Sequence, residues 1–190
     1  MKLFSWRTRK GSTFWKMMGI MNQGCVLALT GMPSDAARTI TSGLTAWRLT
    51  PARVYLPTYS SYLTRAYADI GQFDDARRCI QEAITAVETT KEKWWEAEVH
   101  RVAGEIALKS HGSDSAKAEA YFERSLVIAR QQQAKSWELR ASMSLARLWR
   151  SQGKAQQARN LLAPVYEWFT EGFDTRDLKE AKALLDELAA

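Results

Sequence analysis

The chain has 190 residues, with 27 Lys and Arg against 21 Asp and Glu and a net charge of +6. Five of the basic residues precede the first acid, Asp35, so the excess charge belongs to one end and does not by itself indicate nucleic-acid binding. Few prolines and glycines favour helix, and Cys25 and Cys79 match no disulfide or metal spacing, which favours a reducing compartment.

The N-terminal residues, 1–13, form a basic leader, and the domain is predicted to begin at residue 14. The apolar stretch 14–29 contains Lys16, Asn22 and Gln23, so it is too polar for a signal peptide or a membrane span. We therefore expect a cytoplasmic protein that has no contact with a membrane.

Two offset series of residues recur along the rest of the chain with a period of 40 to 42. Aromatic residues open each unit, a small residue follows nine positions later, and a second series of alanines comes after a turn. These residues are Trp15, Tyr55, Trp95 and Trp137; Gly24, Thr64, Gly104 and Ala146; and Ala36, Ala76, Ala118 and Ala158. Because packed helix axes approach to about 8–10 Å, small residues are needed where the helices cross.

The series predict four helical hairpins with turns at Gly31, Gly71, Gly112 and Gly153. The repeats span about 14–50, 54–90, 94–132 and 136–171, and together with a capping helix over 175–189 they form a single domain, 14–190. Leu178, Ala181, Leu184 and Leu188 give the capping helix one apolar stripe, and Asp174 or Thr175 is placed to cap its start. The recurring aromatics, Trp95 among them, are expected to pack at the seams between repeats, whereas Trp94 is expected to be exposed.

The stretch 62–83, YLTRAYADIGQFDDARRCIQEA, resembles the tetratricopeptide repeat (TPR), and the residues that carry the likeness include Leu63, Tyr67, Gly71, Ala76 and Ile80. The resemblance covers about residues 14–170 and implies an all-α, right-handed TPR-like solenoid that binds proteins. It also implies that the first helix of each hairpin lines a concave groove.

A narrower resemblance lies at the C-terminal end, in ARLWRSQGKAQQARNLLAPVYEWFTEGFDTRDLKEAKALLDEL together with KWWEAEVHRVAGE. These stretches are similar to the C-terminal TPR region of bacterial signalling proteins that carry a class III adenylate or guanylate cyclase, or a transcriptional regulator, before an AAA-type ATPase. The likeness implies a regulatory or sensor module. The chain itself contains no phosphate-binding GxxxxGK[ST] loop.

The groove positions predicted to bind a partner are Arg65, Asp69, Arg101, Glu105, Lys109, Arg140, Met143, Arg147 and Arg150. Converging arginines suit a partner that presents acidic side chains. A nucleic-acid-binding helical repeat and a small-molecule-sensing module remain as alternatives. At the other end, Met18, Met21, Cys25 and Leu29 lack a preceding repeat to cover them, which predicts a two-fold homodimer.

No arrangement of residues predicts an enzyme, a cofactor or a metal. His100 stands four residues after Glu96, a spacing that suits proton transfer, but the same spacing is common for a pair on a helix surface, which we favour. His111 is expected in a solvated turn. With two histidines and two scattered cysteines, no zinc set is predicted.

Overall fold

A computed structural model describes residues 4–50, 54–109 and 113–189, with the side chains of residues 4–13 left aside. Within these ranges the chain forms helices and no strand. The helices are α1 (Phe4–Leu29), α2 (Pro33–Arg48), α3 (Leu56–Asp69), α4 (Phe73–Thr90), α5 (Glu96–Lys109), α6 (Ser115–Gln131), α7 (Lys135–Ser151), α8 (Ala155–Glu167) and α9 (Arg176–Glu187). No helix among the described residues is long and apolar enough to cross a membrane.

The chain divides into two compact units, Met1–Glu92 with α1 to α4 and Lys93–Ala190 with α5 to α9. Each unit contains two of the predicted hairpins, and the second unit also contains the terminal helix. The sequence-based boundaries of a single domain, 14–190, stay a prediction. The basic leader is continuous with α1, which begins at Phe4 and not at residue 14.

Glycines close three of the hairpins, as predicted. Gly31, Gly71 and Gly153 have φ near +80°, a left-handed conformation that glycine adopts without strain. After each one, the next amide donates to a carbonyl of the preceding helix, as from Gln72 N to Tyr67 O at 2.8 Å, which ends the helix. Gly112 and His111 lie outside the described residues.

In the first unit, close helix contacts depend on small residues. A Cβ added to Gly24 would lie 2.5 Å from the Ile40 side chain, and one added to Gly43 would lie 2.4 Å from Met21 Cγ. Met21 is completely buried in a core that includes Leu44, so the prediction that it is exposed for self-association is wrong. The reason is that Met21 faces α2, where Gly43 leaves room for its side chain.

The second unit repeats this arrangement. A Cβ on Gly104 would lie 2.4 Å from the Phe122 ring, which explains why a glycine stands inside α5. The last hairpin presents Leu162 to a stripe on α9 that includes Leu178 and Leu184, so α9 caps the core as predicted. Thr175 is the N-cap residue of α9, but its hydroxyl donates to Gly172 O and does not accept from the helix.

Candidate functional site

Arg101 is buried, which corrects the prediction that it lies on an exposed groove. Its guanidinium donates to both Glu98 carboxylate oxygens, at 2.7 and 2.6 Å, and to Glu105 Oε1 at 2.5 Å. A further N–H reaches Ser144 Oγ on α7 at 3.3 Å. Burial opposes the charge of Arg101, but attraction and hydrogen bonds from Glu98 and Glu105 outweigh it and raise the pKa of Arg101.

The arginines of α7 face α9, and each pairs with one of its carboxylates. Arg140 Nε donates to Asp177 Oδ2 at 2.6 Å, and Arg147 donates to Glu180 Oε2 at 3.0 Å. A third pair joins Arg150 and Glu187. Hydrogen bonds from Arg176 and from Arg147 hold the pKa of Glu180 below its ordinary value.

We call the half-exposed side chains Arg140, Arg147 and Arg150 the arginine edge. Each of them leaves a third to a half of its side chain open to solvent, with 36% for Arg140 and 47% for Arg147. A guanidinium has five N–H donors. One carboxylate of α9 therefore does not use the whole capacity of any of these residues.

The other predicted groove residues are dispersed. Met143 is buried under α9 in the same core as Leu178, so its predicted place in an open groove is wrong. Lys109 is exposed at the end of α5. Arg65 and Asp69 lie on α3 in the first unit, half-buried and exposed respectively.

The tryptophans of the second unit form a stack. Trp95 and Trp137 meet edge to face with ring centroids 4.8 Å apart, and Trp94 lies 5.1 Å from Trp95. The Arg140 guanidinium lies 5.0 Å from the Trp137 ring centroid. Trp95 and Trp137 are half-buried and Trp94 is exposed, so the seam predicted for Trp95 and the exposure predicted for Trp94 are confirmed.

Repeat one departs from that pattern because Trp15, aligned with Trp95, is 69% exposed. Trp15 lies in the middle of α1, and the same face carries the exposed side chains of Val26 and Leu29. Of the residues predicted for self-association, Leu29 is exposed, whereas Met18 and Cys25 are half-buried at the edge of this face. Burial raises the pKa of the Cys25 thiol to about 12, which makes it a poor nucleophile at neutral pH.

His100 is half-buried and does not form the surface pair predicted with Glu96. Its ring lies 6.1 Å from that of Tyr121, and its Nδ1 has no hydrogen-bond partner among the described residues. Burial, with a contribution from nearby Arg124, lowers the pKa of His100 to about 4. The imidazole is therefore neutral at pH 7, and Glu96 is close to Arg124 instead, at 3.9 Å.

A surface cavity of about 550 Å³ lies between α2 and α4 in the first unit. Arg48 and Glu82 line it and pair with each other at 2.5 Å. No group of three or more His, Cys, Asp or Glu residues in the described part of the chain could hold a metal ion.

Two features of these surfaces were missed by the sequence analysis. It did not connect the acidic residues of α9 with α7, although Asp177, Glu180 and Glu187 are separated by three and seven residues and Arg140, Arg147 and Arg150 by seven and three. It also did not single out Val26, although Trp15 and Val26 stand eleven residues apart, which places them on one face of a helix.

No protein-family model matches the chain, and no curated protein matches it. Two solved structures of kinesin light chain-like, nearly identical TPR-like repeats from Podosopora anserina are similar in fold, with TM-scores of 0.69 and 0.68. Each is 14% identical in sequence and covers 91% of this chain, and the match covers 84% and 85% of those chains. The described residues therefore have an all-α, TPR-like solenoid fold of four helical hairpins and a terminal helix, as predicted.

Proposed function

We propose that the chain is a protein–protein interaction module of the TPR family and not an enzyme. The observation that carries this proposal is the arginine edge, where α7 already receives an acidic amphipathic helix. The helix α9 lies with its leucines on the core and its carboxylates on three arginines. This is how proteins recognise partner helices in grooves.

The natural partner presents acidic side chains to the arginine edge. Arg147 and Arg150 remain half-exposed beside α9, and each has N–H donors left over for a second carboxylate. A nucleic-acid partner has less support, because the excess positive charge of the chain lies before Asp35, at the N-terminal end, and not along this edge.

Charge reversal on the arginine edge tests the proposal. The immobilised chain is compared with the Arg147→Glu/Arg150→Glu variant, and the proteins that each one captures from a lysate of the source cells are quantified. We expect at least tenfold weaker capture of the main partners by the variant, about 1.4 kcal/mol. The matched control reverses Arg124 and Arg159, which are exposed on α6 and α8, and should capture partners as the parent chain does.

Circular dichroism must show that all of these variants keep their helix content. If the edge variant and the control capture the same partners equally well, the arginine edge is not the binding surface. If the parent chain captures nothing beyond what an unrelated helical repeat captures, the interaction function itself is wrong.

We further propose that the module acts in the cytoplasm as the C-terminal regulatory part of a bacterial signalling protein of the cyclase and ATPase or transcriptional-regulator type. The support is the sequence resemblance of the last two hairpins and α9 described above. The genomic sequence upstream of the coding region tests this directly. An in-frame ATPase, cyclase or regulator domain is the expected result, and an upstream gene of unrelated kind in another frame would refute it.

A further inference from the structure

One face of α1 is exposed and uncharged over four helical turns. Trp15 is 69%, Val26 57% and Leu29 55% exposed, and Gly19 and Asn22 between them are also exposed. The apolar side chains of Trp15, Val26 and Leu29 are each more than half open to solvent. We call this set the α1 face, and it lies opposite Met21, which points into the core.

The residues of the α1 face follow a heptad seam. Positions 15, 19, 22, 26 and 29 are separated by four, three, four and three residues, the spacing at which one helix meets another along its length. Lys16 is the one charged residue in the segment 14–29, and it stands at the margin of this face. The face therefore offers no pattern of charges by which a charged partner would be selected.

Gly19 is the most informative residue of the α1 face. Glycine is a poor helix former, and two other helical glycines of this unit, Gly24 and Gly43, are explained by neighbours at contact distance. Gly24 meets Ile40 and Gly43 meets Met21, but nothing lies within 4 Å of a Cβ placed on Gly19. A glycine in the middle of an exposed helix leaves room for a second backbone to approach closely.

We propose that two copies of this chain pair through their α1 faces, in antiparallel orientation, around a two-fold axis between Gly19 and Asn22. This pairing places Trp15 of one copy against Val26 of the other, and Gly19 against Asn22. The face is thus complementary to itself, with a bulky residue opposite a smaller one and the glycine at the closest approach. Asn22 Oδ1 accepts from Tyr59 Oη at 3.0 Å, which fixes the side chain and leaves its NH₂ group to donate across the axis.

The area fits a weak, reversible dimer. Pairing about this axis sets the segment Trp15 to Val26 of one copy against the same segment of the other, over about 17 Å of a helix about 10 Å wide. The footprint is about 170 Å² on each copy, far smaller than a standard interface, so the expected dimer is weak. The inference deepens the proposed interaction function by naming one partner, and it uses no residue of the arginine edge.

Sedimentation velocity on the full chain, from about 5 to 200 μM, tests the pairing. We expect a monomer–dimer equilibrium with a midpoint in the micromolar range, and a Val26→Glu variant that dimerises at least tenfold more weakly. The matched control is Val127→Glu, the same change at an exposed valine on α6, which should dimerise as the parent chain does. A parent chain that stays monomeric at 200 μM overturns the proposal, as does a dimer that Val26→Glu leaves intact.

The Gly19→Ala variant tests whether Gly19 lies at the contact between two copies or affects only the stability of the monomer. Alanine favours helix, so the thermal midpoint of the dilute monomer should rise. The added methyl group occupies the closest point of the dimer, so the dissociation constant should rise at least fivefold. A variant with a higher midpoint and unchanged dimerisation would overturn the placement of Gly19 at the contact.

Cysteine cross-linking tests the orientation, in a chain that also carries Cys25→Ser and Cys79→Ala. Asn22→Cys lies near the proposed axis, so a short bis-maleimide should link two copies of that variant. Leu29→Cys lies at the far end of each helix and should not link to itself. Equal cross-linking at both positions would indicate a parallel pair and overturn the antiparallel arrangement. Dimerisation and capture by the arginine edge are separate measurements, so each proposal can fail without the other.

Discussion

Replacing Arg101 with alanine should strongly destabilise the second unit. Arg101 is 5% exposed and donates four hydrogen bonds, two of them to the carboxylate of Glu98, which is itself buried. The substitution removes these bonds together and leaves the buried charge of Glu98 without the guanidinium. Breaking a buried ion pair on one side costs about 3–5 kcal/mol, so we expect a loss of about 4 kcal/mol.

Urea titration followed by circular dichroism measures this loss, with Arg124→Ala as the matched control. Arg124 is exposed on α6 and lies 3.9 Å from Glu96, so its removal should cost less than about 1 kcal/mol. The pair Glu98→Leu/Arg101→Met should recover most of the stability, because two apolar side chains leave no buried charge behind. A loss for Arg101→Ala no larger than that of the control would refute the assignment of a buried ion cluster.

Trp95→Ala should cost about 3 kcal/mol of unfolding free energy and Trp94→Ala less than half of that, because Trp94 is exposed; equal losses in denaturant would contradict the seam. Gly104→Ala should destabilise by about 1–3 kcal/mol because its Cβ meets the Phe122 ring, and a rise in thermal midpoint would contradict that contact. Between pH 6.5 and about 4, His100 binds a proton in the unfolded state but not in the folded state. The free energy of unfolding should therefore decrease as the pH is lowered through this range, by up to about 1.4 kcal/mol per pH unit. Denaturation of His100→Gln at several pH values should show a smaller dependence.

The repeat pattern predicted the hairpins because its small residues recur at the places where two helices must pack closely or where the chain must turn. Gly104 belongs to the series of small residues, and a glycine beside the Phe122 ring is explained by helices that cross closely. The turn glycines at positive φ likewise have one structural meaning. The start of α1 at Phe4 was missed because the basic segment before Phe14 has no apolar periodicity. Without that periodicity, the sequence does not distinguish an extended leader from a solvated helix.

The candidate site was harder to predict, because exposure depends on neighbours that a single helix does not reveal. The spacing of Glu98, Arg101 and Glu105 is the same for a solvated surface cluster as for a buried one. The buried cluster is distinguished from a surface cluster by its contact with α7, where Ser144, 43 residues away in the sequence, accepts a hydrogen bond from Arg101. Met21 and Met143 were placed on open faces for the same reason, since their register in the repeat was right and the helix that covers each of them was not considered.

The terminal helix α9 is held by two kinds of contact that respond oppositely to ionic strength. The leucine stripe around Leu184 is an apolar contact, which excluded anions such as sulfate strengthen. The pairs with Arg140 and Arg147 are half-exposed, so dissolved ions screen them over about 10 Å at 0.1 M. Concentrated sulfate should therefore strengthen the leucine contact while it weakens the arginine pairs, so that α9 stays on the core with a larger share of its stability from apolar packing.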